Sequence, residues 1–349
     1  MVEPFFSICI PQYNRTDFLL EALRTVVSQR FRDIQVCISD DRSPDGRQEE
    51  IVAALKCSGL SYKFHIQEEN RRYDGNLRGA IGLADGRYCF LLGNDDALLD
   101  DNALARLHEL IEQFGPCGVV TSNYQDYRTG VNVSRVQSTG NKGFGPQVAA
   151  RHFRNFSIVS GVVLDRRAAQ GFATERWDGS EMYQTFIGCS IIASGKALLE
   201  IAEPLVRRDI SLPNLSVDNY ANRPRVRPCP IVERTIPLVK FARLTSDAIR
   251  PFVSSVEQKR HNERILRQLL LFTYPFWLFE YRRVQSWRYA VGIAIGMRPK
   301  RIASGIDMTR LDILLIHFYY GVASIVGLLA PLWLFKYSRP LLYRFAKKT

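Results

Sequence analysis

Short apolar runs alternate with stretches of helical period through the first 125 residues. FSICIP (Phe6–Pro11) predicts a strand and Asp17–Gln29 an amphipathic helix. IQVCIS (Ile34–Ser39), YKFHI (Tyr62–Ile66), YCFLL (Tyr88–Leu92) and GVVTS (Gly118–Ser122) predict four more strands. Helical spacing falls between them over Gln48–Lys56, Asn76–Ala84 and Asn102–Phe114, with Asp100 to Asn102 available as caps. Strands separated by helices of this length imply βα units and a mainly parallel sheet, an α/β class.

The pattern loosens from about 126 to 156, where Gly, Ser and Asn suggest loops and a hairpin, and returns in SIVSGVVLDRR. Ser180–Gly195 predicts a helix, and Glu203–Arg234 is punctuated by proline without a clear period. Three segments follow as expectations: a 1–125 half, a 126–250 half, and a 251–349 helical tail.

The tail changes the picture. RILRQLLLFTYPFWLFEYRR has Pro275 midway and basic ends, which predicts a kinked amphipathic helix. Ile313–Phe335 runs without a formal charge and as a helix would reach about 34 Å, enough for a hydrocarbon core of about 30 Å. The basic KYSRPLLYRFAKK that follows opposes a single outward crossing, since cations favour the cytoplasmic side. A helix lying in, or re-entering, the cytoplasmic leaflet satisfies both features.

Net charge is +12, and residues 251–349 carry 16 Lys/Arg against 5 Asp/Glu, so nearly all the excess sits in the tail. Cations interleaved with long apolar stretches fit an anionic membrane surface and not a nucleic-acid groove. The seven cysteines form no CxxC pair, and the five histidines form no HExxH or i,i+4 pair. An odd cysteine count and an N-terminus without a basic region and long apolar stretch lead to an expected site at the cytoplasmic face of the plasma membrane.

Ligands in open α/β sheets bind beyond the carboxyl ends of strands. Here the first strand exits into PQYNR, the second into SDDRSPDG and the fourth into GNDD. Two adjacent carboxylates, Asp95 and Asp96, repel unless a cation sits beside them, and Mg²⁺ or Mn²⁺ suits hard oxygens while leaving positions for a diphosphate. Asp40 and Asp41 can accept hydrogen bonds from a pyrimidine N–H or ribose hydroxyls, with Tyr13 against the base and Asn14 bonded to it.

The order IPQYNR, CISDDRSPDG, DGNLRGAIGLADGRYCFLLGNDD resembles the family 2 glycosyltransferases of the GT-A fold, most closely the bacterial O-antigen, capsular and abequosyltransferase-like enzymes. The likeness covers about residues 5–125 and weakens toward 210. It implies that Asp40 reads the donor base beside Pro11, Tyr13 and Asn14. Asn76 lies in the helix that supports donor binding, with Arg78 as a diphosphate contact. Asp95 and Asp96 match the DXD-type element, with Asp96 as the direct metal ligand; Asn94 stands where Asp is common. The resemblance also implies transfer with inversion from a nucleoside-diphosphate sugar to a lipid-linked saccharide or polysaccharide, which needs a base. WDGSEMYQ offers Glu181, at a helix start where exposed N–H groups favour a carboxylate, then Asp178, with Asp218 third. A first-turn cap is the competing role for Glu181.

A dinucleotide-dependent dehydrogenase lacks support because PQYNRTD stands where GxGxxG belongs. A nucleotidyltransferase wants glycines and lysine after the first strand, and neither is there. A non-catalytic membrane scaffold is the alternative that Asn94 favours.

Overall fold

A computed structural model of the chain describes residues 3–213, 215–216, 233, 235–335 and 337. Asp218, Cys229 and the basic residues after 337 lie outside the described residues. The chain divides into two compact units, one of residues 1–148 and 154–223, the other of 149–153 and 224–349.

The first unit is a mixed sheet flanked by helices. Its strands are β1 (Phe6–Gln12), β2 (Ile34–Asp40), β3 (Ser61–Ile66), β4 (Tyr88–Leu91), β5 (Ala97–Leu98), β6 (Val119–Asp126), β7 (Asn132–Val133), β8 (Gly140–Asn141), β9 (Val162–Asp165) and β10 (Leu198–Arg208). Their order is β3-β2-β1-β4-β9-β6-β10-β5, with β7 on β6 and β8 on β10. β3, β2, β1 and β4 run parallel, as the βα pattern requires. Beyond β4 the sheet is mixed: β9 lies antiparallel between β4 and β6, while β6 and β10 again pair in parallel. β9 carries SIVSGVVLDRR back into the sheet from the far side of the 126–156 loops. β1 and β2 are buried along almost their whole length, as strands covered on both faces must be.

The helices α1 (Thr16–Val27), α2 (Gln48–Cys57), α3 (Arg72–Gly82) and α4 (Ala103–Phe114) fall at the expected places. Their apolar stripes enter the core with Phe6, Ile8, Leu19, Leu23, Tyr88, Phe90 and Leu107. Pro11 sits within β1 at no loss of pairing. The β1–β4 ladder ends at Cys9 opposite Leu91, so its missing N–H falls past the last β4 bond. α5 (Pro146–His152) and α6 (Arg166–Gly171) precede α7 (Tyr183–Ala193), which starts later than the pattern predicts. The cause is Glu181, held at φ +61, a left-handed conformation that cannot belong to a right-handed helix.

The second unit is helical: α8 (Ile236–Ile249), α9 (Ser255–Gln268), α10 (Tyr274–Val284), α11 (Trp287–Gly296), α12 (Pro299–Ile302) and α13 (Arg310–Leu329). Ser254 and Glu257 form a reciprocal cap on α9. The kink expected at Pro275 appears as a π-helical turn over Leu269–Thr273, which re-registers the backbone just before the proline. α13 is shorter than Ile313–Phe335. Ala330 is extended at ψ 139, as a residue before proline prefers, and Pro331 separates a last turn at 332–335.

Candidate active site

Gln12 ends β1, and its hydrogen bonds tie three strand exits together. Its carbonyl accepts the Asp41 N–H at 2.8 Å, from the end of β2, and Asn76 Nδ2 at 2.9 Å, from α3. Its Oε1 accepts Asn94 Nδ2 at 2.8 Å, from the loop after β4, and its Nε2 donates to Asn14 O at 2.6 Å. The Asn14 N–H donates to Ser43 Oγ at 2.8 Å, which closes the first exit onto the second. Asn14 and Arg15 both take positive φ, at 52° and 60°, a turn that L-residues adopt only when their surroundings hold it.

Asp40 is buried opposite Gln12 in the β1–β2 register. Its Oδ1 accepts the Ser43 N–H at 2.7 Å, whereas its Oδ2 is buried with no hydrogen-bond partner among the described residues. Burial pushes its carboxyl up, against the Ser43 hydrogen bonds that pull it down. Asn76 Oδ1 is a second buried acceptor with no partner among the described residues. Asp41 points elsewhere, onto the Arg71 N–H at 2.6 Å, where it anchors the chain entering α3; it too is raised by burial. Tyr13 is 44% exposed beside these groups in sequence.

The loop after β4 folds back on itself, with the Asp96 N–H donating to Gly93 O at 3.1 Å. A Cβ on Gly93 would stand 3.1 Å from both Asp95 Oδ1 and Asp96 Oδ2. Glycine therefore lets two carboxylates crowd one point. Asp96 is 5% exposed. Its Oδ2 accepts from Ser160 Oγ, and its Oδ1 accepts the Asp209 N–H at 2.9 Å. Burial first, then the charge of Asp95, pushes its carboxyl up to about 7. Ser160 is itself fixed by the Gly93 N–H at 2.8 Å and by buried Arg135, whose Nη2 donates to Ser160 O at 2.7 Å. Asp95 forms an ion pair with Arg15.

These residues fit a divalent cation. Among the described residues no three His, Cys, Asp or Glu side chains converge. Asp95 and Asp96 would give such a cation one or two carboxylates, and Mg²⁺ is commonly held by that few together with phosphates. The Asp96 carboxyl is raised by burial first and by the Asp95 charge second, and a cation beside it would oppose both.

The later acidic group lies on the loop before α7. Glu181 is exposed, and its N–H donates to Asp74 Oδ2 at 2.9 Å. Asp178 is held in a two-pronged pair with Arg78, at 2.6 and 2.9 Å. Arg78 is thereby committed, with Thr174 O at 3.0 Å as a further acceptor. The charges of Asp74, Glu181, Asp96 and Asp95 all push the Tyr73 hydroxyl up, after burial itself.

Pattern reading missed Gln12, Arg15, Asp74, Ser160 and Asp209. Gln12 and Arg15 stood within PQYNR, and Asp74 two residues before Asn76, but only pairing across 29 to 113 positions reveals what such residues hold.

A parallel half-sheet with acidic exits tied at one edge is the architecture of nucleotide-sugar transferases of the GT-A type. Residues 7–166 match the model of Glycosyl transferase family 2, and the chain carries a family 2 glycosyltransferase domain. Among curated relatives, the abequosyltransferase RfbV of Salmonella typhimurium is 38% identical over 98 residues, 28% of this chain and 29% of that protein. GalNAc(5)-diNAcBac-PP-undecaprenol beta-1,3-glucosyltransferase of Campylobacter jejuni is 28% identical over 119 residues, 33% of this chain and 38% of that protein. The matches thus span about a third of these relatives' lengths. Among solved structures, S. aureus TarS 1–349 with UDP aligns at a TM-score of 0.60 and 15% identity over 93% of this chain and 88% of that one. Mannosyltransferase PcManGT of Pyrobaculum calidifontis, with GDP-Man and Mn²⁺, aligns at 0.53 and 16% identity over 94% and 88%. The fold is GT-A.

Proposed function

We propose that the protein transfers a sugar, with inversion, from a nucleoside-diphosphate sugar to a lipid-linked or polysaccharide acceptor in cell-surface polysaccharide biosynthesis. The observation that carries this reading is the tied edge of the sheet. Gln12 gathers the exits of β1, β2 and β4, where Asp40 and Asn76 keep unmet acceptors and Asp95 and Asp96 crowd one point. A buried acceptor without a partner costs about 1–3 kcal/mol, and a nucleobase N–H or a ribose hydroxyl removes that penalty. Pro11, Tyr13 and Asn14 frame this base subsite; Asp41 holds the entry to α3 behind it. Asp96 and Asp95 would hold Mn²⁺ or Mg²⁺, which would supply charge neutralisation at the departing diphosphate. Arg15 supplies a second positive group at Asp95. Glu181 takes the proton of the acceptor hydroxyl as its oxygen bonds to the anomeric carbon and the carbon–phosphate-oxygen bond breaks. Asp178, paired with Arg78, is the weaker candidate for that role. Transfer supports this reading if Mn²⁺-dependent release of nucleoside diphosphate from a donor panel is seen with the native protein and lost in Asp96→Ala. Equal release by both proteins contradicts it.

We also propose that the helical unit sits on the cytoplasmic face of the plasma membrane. α13 is long and apolar enough to cross a membrane, yet only 17% of its apolar window is buried. Leu311, Leu314, Phe318, Ile325 and Leu329 lie on one face at 61–67% exposure, a stripe suited to acyl chains. The opposite face packs within its own unit. Tyr274 OH meets Ser324 Oγ at 2.8 Å, and Arg282 donates to Gly327 O and Ala330 O at 2.9 and 2.8 Å. The donor nucleotide and the sugar are the finer parts of this proposal that the panel addresses.

A further inference from the structure

α3 does more than brace the sheet: three of its first seven residues reach the loop that carries Glu181. Asp74 is 1% exposed. One of its oxygens accepts the Glu181 N–H at 2.9 Å and the other accepts the Tyr183 N–H at 3.1 Å. Ser180 Oγ lies 3.4 Å from both oxygens and accepts the Met182 N–H at 3.2 Å. One turn further along α3, Arg78 grips Asp178 with two prongs and lies 5.7 Å over the Tyr183 ring. Tyr73 donates to Gln184 Oε1 at 3.1 Å.

Between these grips Glu181 is exposed and left-handed at φ +61. A non-glycine residue keeps that conformation only when its neighbours over-determine it. Asp74 does so by taking the N–H groups on either side of Met182 with one carboxylate. The N-cap residue Met182 makes no side-chain cap; Ser180 takes the Met182 N–H from within the loop, and the acceptor for the Tyr183 N–H comes from another helix.

We propose that Asp74 is a positioning residue that acts through Glu181. Its carboxylate fixes the backbone of Glu181 and so the direction in which the Glu181 side chain leaves the loop, while Arg78 and Asp178 tie down the same loop. Arg78 then serves the acceptor side of the reaction, by holding the base loop, and not the diphosphate. The inference rests on Glu181 being the base.

A double-mutant cycle tests it on the full chain, with kcat and KM measured for transfer and donor affinity measured separately by calorimetry. In Asp74→Asn one N–H loses its acceptor and meets an amide N–H instead. Displacing a reacting group by about 1 Å can lower a rate about 100-fold, so kcat falls about 10- to 100-fold while donor affinity changes less than about twofold. In the Glu181→Gln background the same substitution has no further effect, because what it aims is already gone. If the two losses multiply, or if Asp74→Asn retains kcat while Glu181→Gln loses it, the positioning role is wrong and the base assignment stands. If Glu181→Gln keeps its kcat, the base assignment fails and the positioning role falls with it. Should Asp74→Asn not fold, Ser180→Ala trims the same grip and is expected to show a smaller kcat loss with the same non-additivity; multiplying losses there overturn the proposal equally.

Discussion

The α/β unit and the helical unit depart from ordinary burial in opposite directions. In the α/β unit carboxylates are inside: Asp40, Asp74 and Asp96 are all at most 5% exposed, each against a desolvation penalty that raises its carboxyl. In the helical unit large apolar side chains are outside, with a stripe of leucine, isoleucine and phenylalanine along α13. Isolated exposed apolar residues are ordinary, but a contiguous stripe is not. Each departure is unfavourable by itself: Asp74 is compensated within the chain by the Glu181 and Tyr183 N–H groups, while the proposed function would relieve Asp40 and Asp96 with a donor nucleotide and a cation, and the α13 stripe with acyl chains. Under the proposed function the tied strand exits handle a polar donor and the apolar helix meets a lipid surface.

The largest way to break this comparison is at Asp96. Asp96→Ala is expected to lower transfer about 10²- to 10³-fold, while membrane flotation stays as in the native protein; a loss of flotation would mean the two units are not separate devices. Next in size is the stripe. Leu314→Glu with Phe318→Glu puts two charges where lipid is expected, and each charge in an apolar membrane region costs about 2.5–3.5 kcal/mol at full depth. Binding to vesicles of anionic phospholipid should therefore fall at least tenfold, with donor hydrolysis unchanged. Undiminished vesicle binding would assign the stripe to another partner. Gly93→Ala is smaller. Its Cβ would stand 3.1 Å from the Asp95 and Asp96 oxygens, closer than such contacts normally are, so Mn²⁺ activation should weaken by several-fold at little change in Tm. If activation is untouched, the crowded point is not where the cation sits.

The smallest effect is a pH trend. Burial and the neighbouring Asp95 charge push the Asp96 carboxyl up to about 7 in the folded chain, above the ordinary value of about 3.9. A raised folded value means that folding takes up a proton between the two, so this group's contribution is fullest at low pH and is lost as pH rises through 7. With metal chelated, Asp96→Asn should therefore gain Tm relative to the native protein progressively from pH 5 to pH 8. A constant difference across that range would show that Asp96 is ionised throughout.

How far the sequence revealed this molecule depended on whether a signal was local. Periodicity located β1 to β4 and α1 to α4 because each has an apolar set of its own, and GNDD and SDDRSPDG sat at strand ends that the same periodicity defined. It could not place β9, whose position between β4 and β6 is a choice of partner and leaves no mark on VVLD. Nor could it show that Glu181 leaves the helical conformation, since the reason lies 107 positions away in Asp74. Asp178 and Arg78 each looked available in sequence; the structure shows them joined to each other. The end of α13 was legible in principle, as Pro331 forces the preceding residue to extend.

The most direct test of the sheet-edge claim is nucleotide binding with and without Asp40. Melting temperatures of native protein and Asp40→Asn would be compared across UDP-, dTDP-, CDP- and GDP-sugars, each with Mn²⁺. Ligand that binds only the folded state raises Tm by mass action. One nucleotide class should stabilise the native protein by several degrees and leave Asp40→Asn unshifted. If no donor stabilises the native protein, or if Asp40→Asn responds equally, the strand exits do not hold a nucleotide sugar.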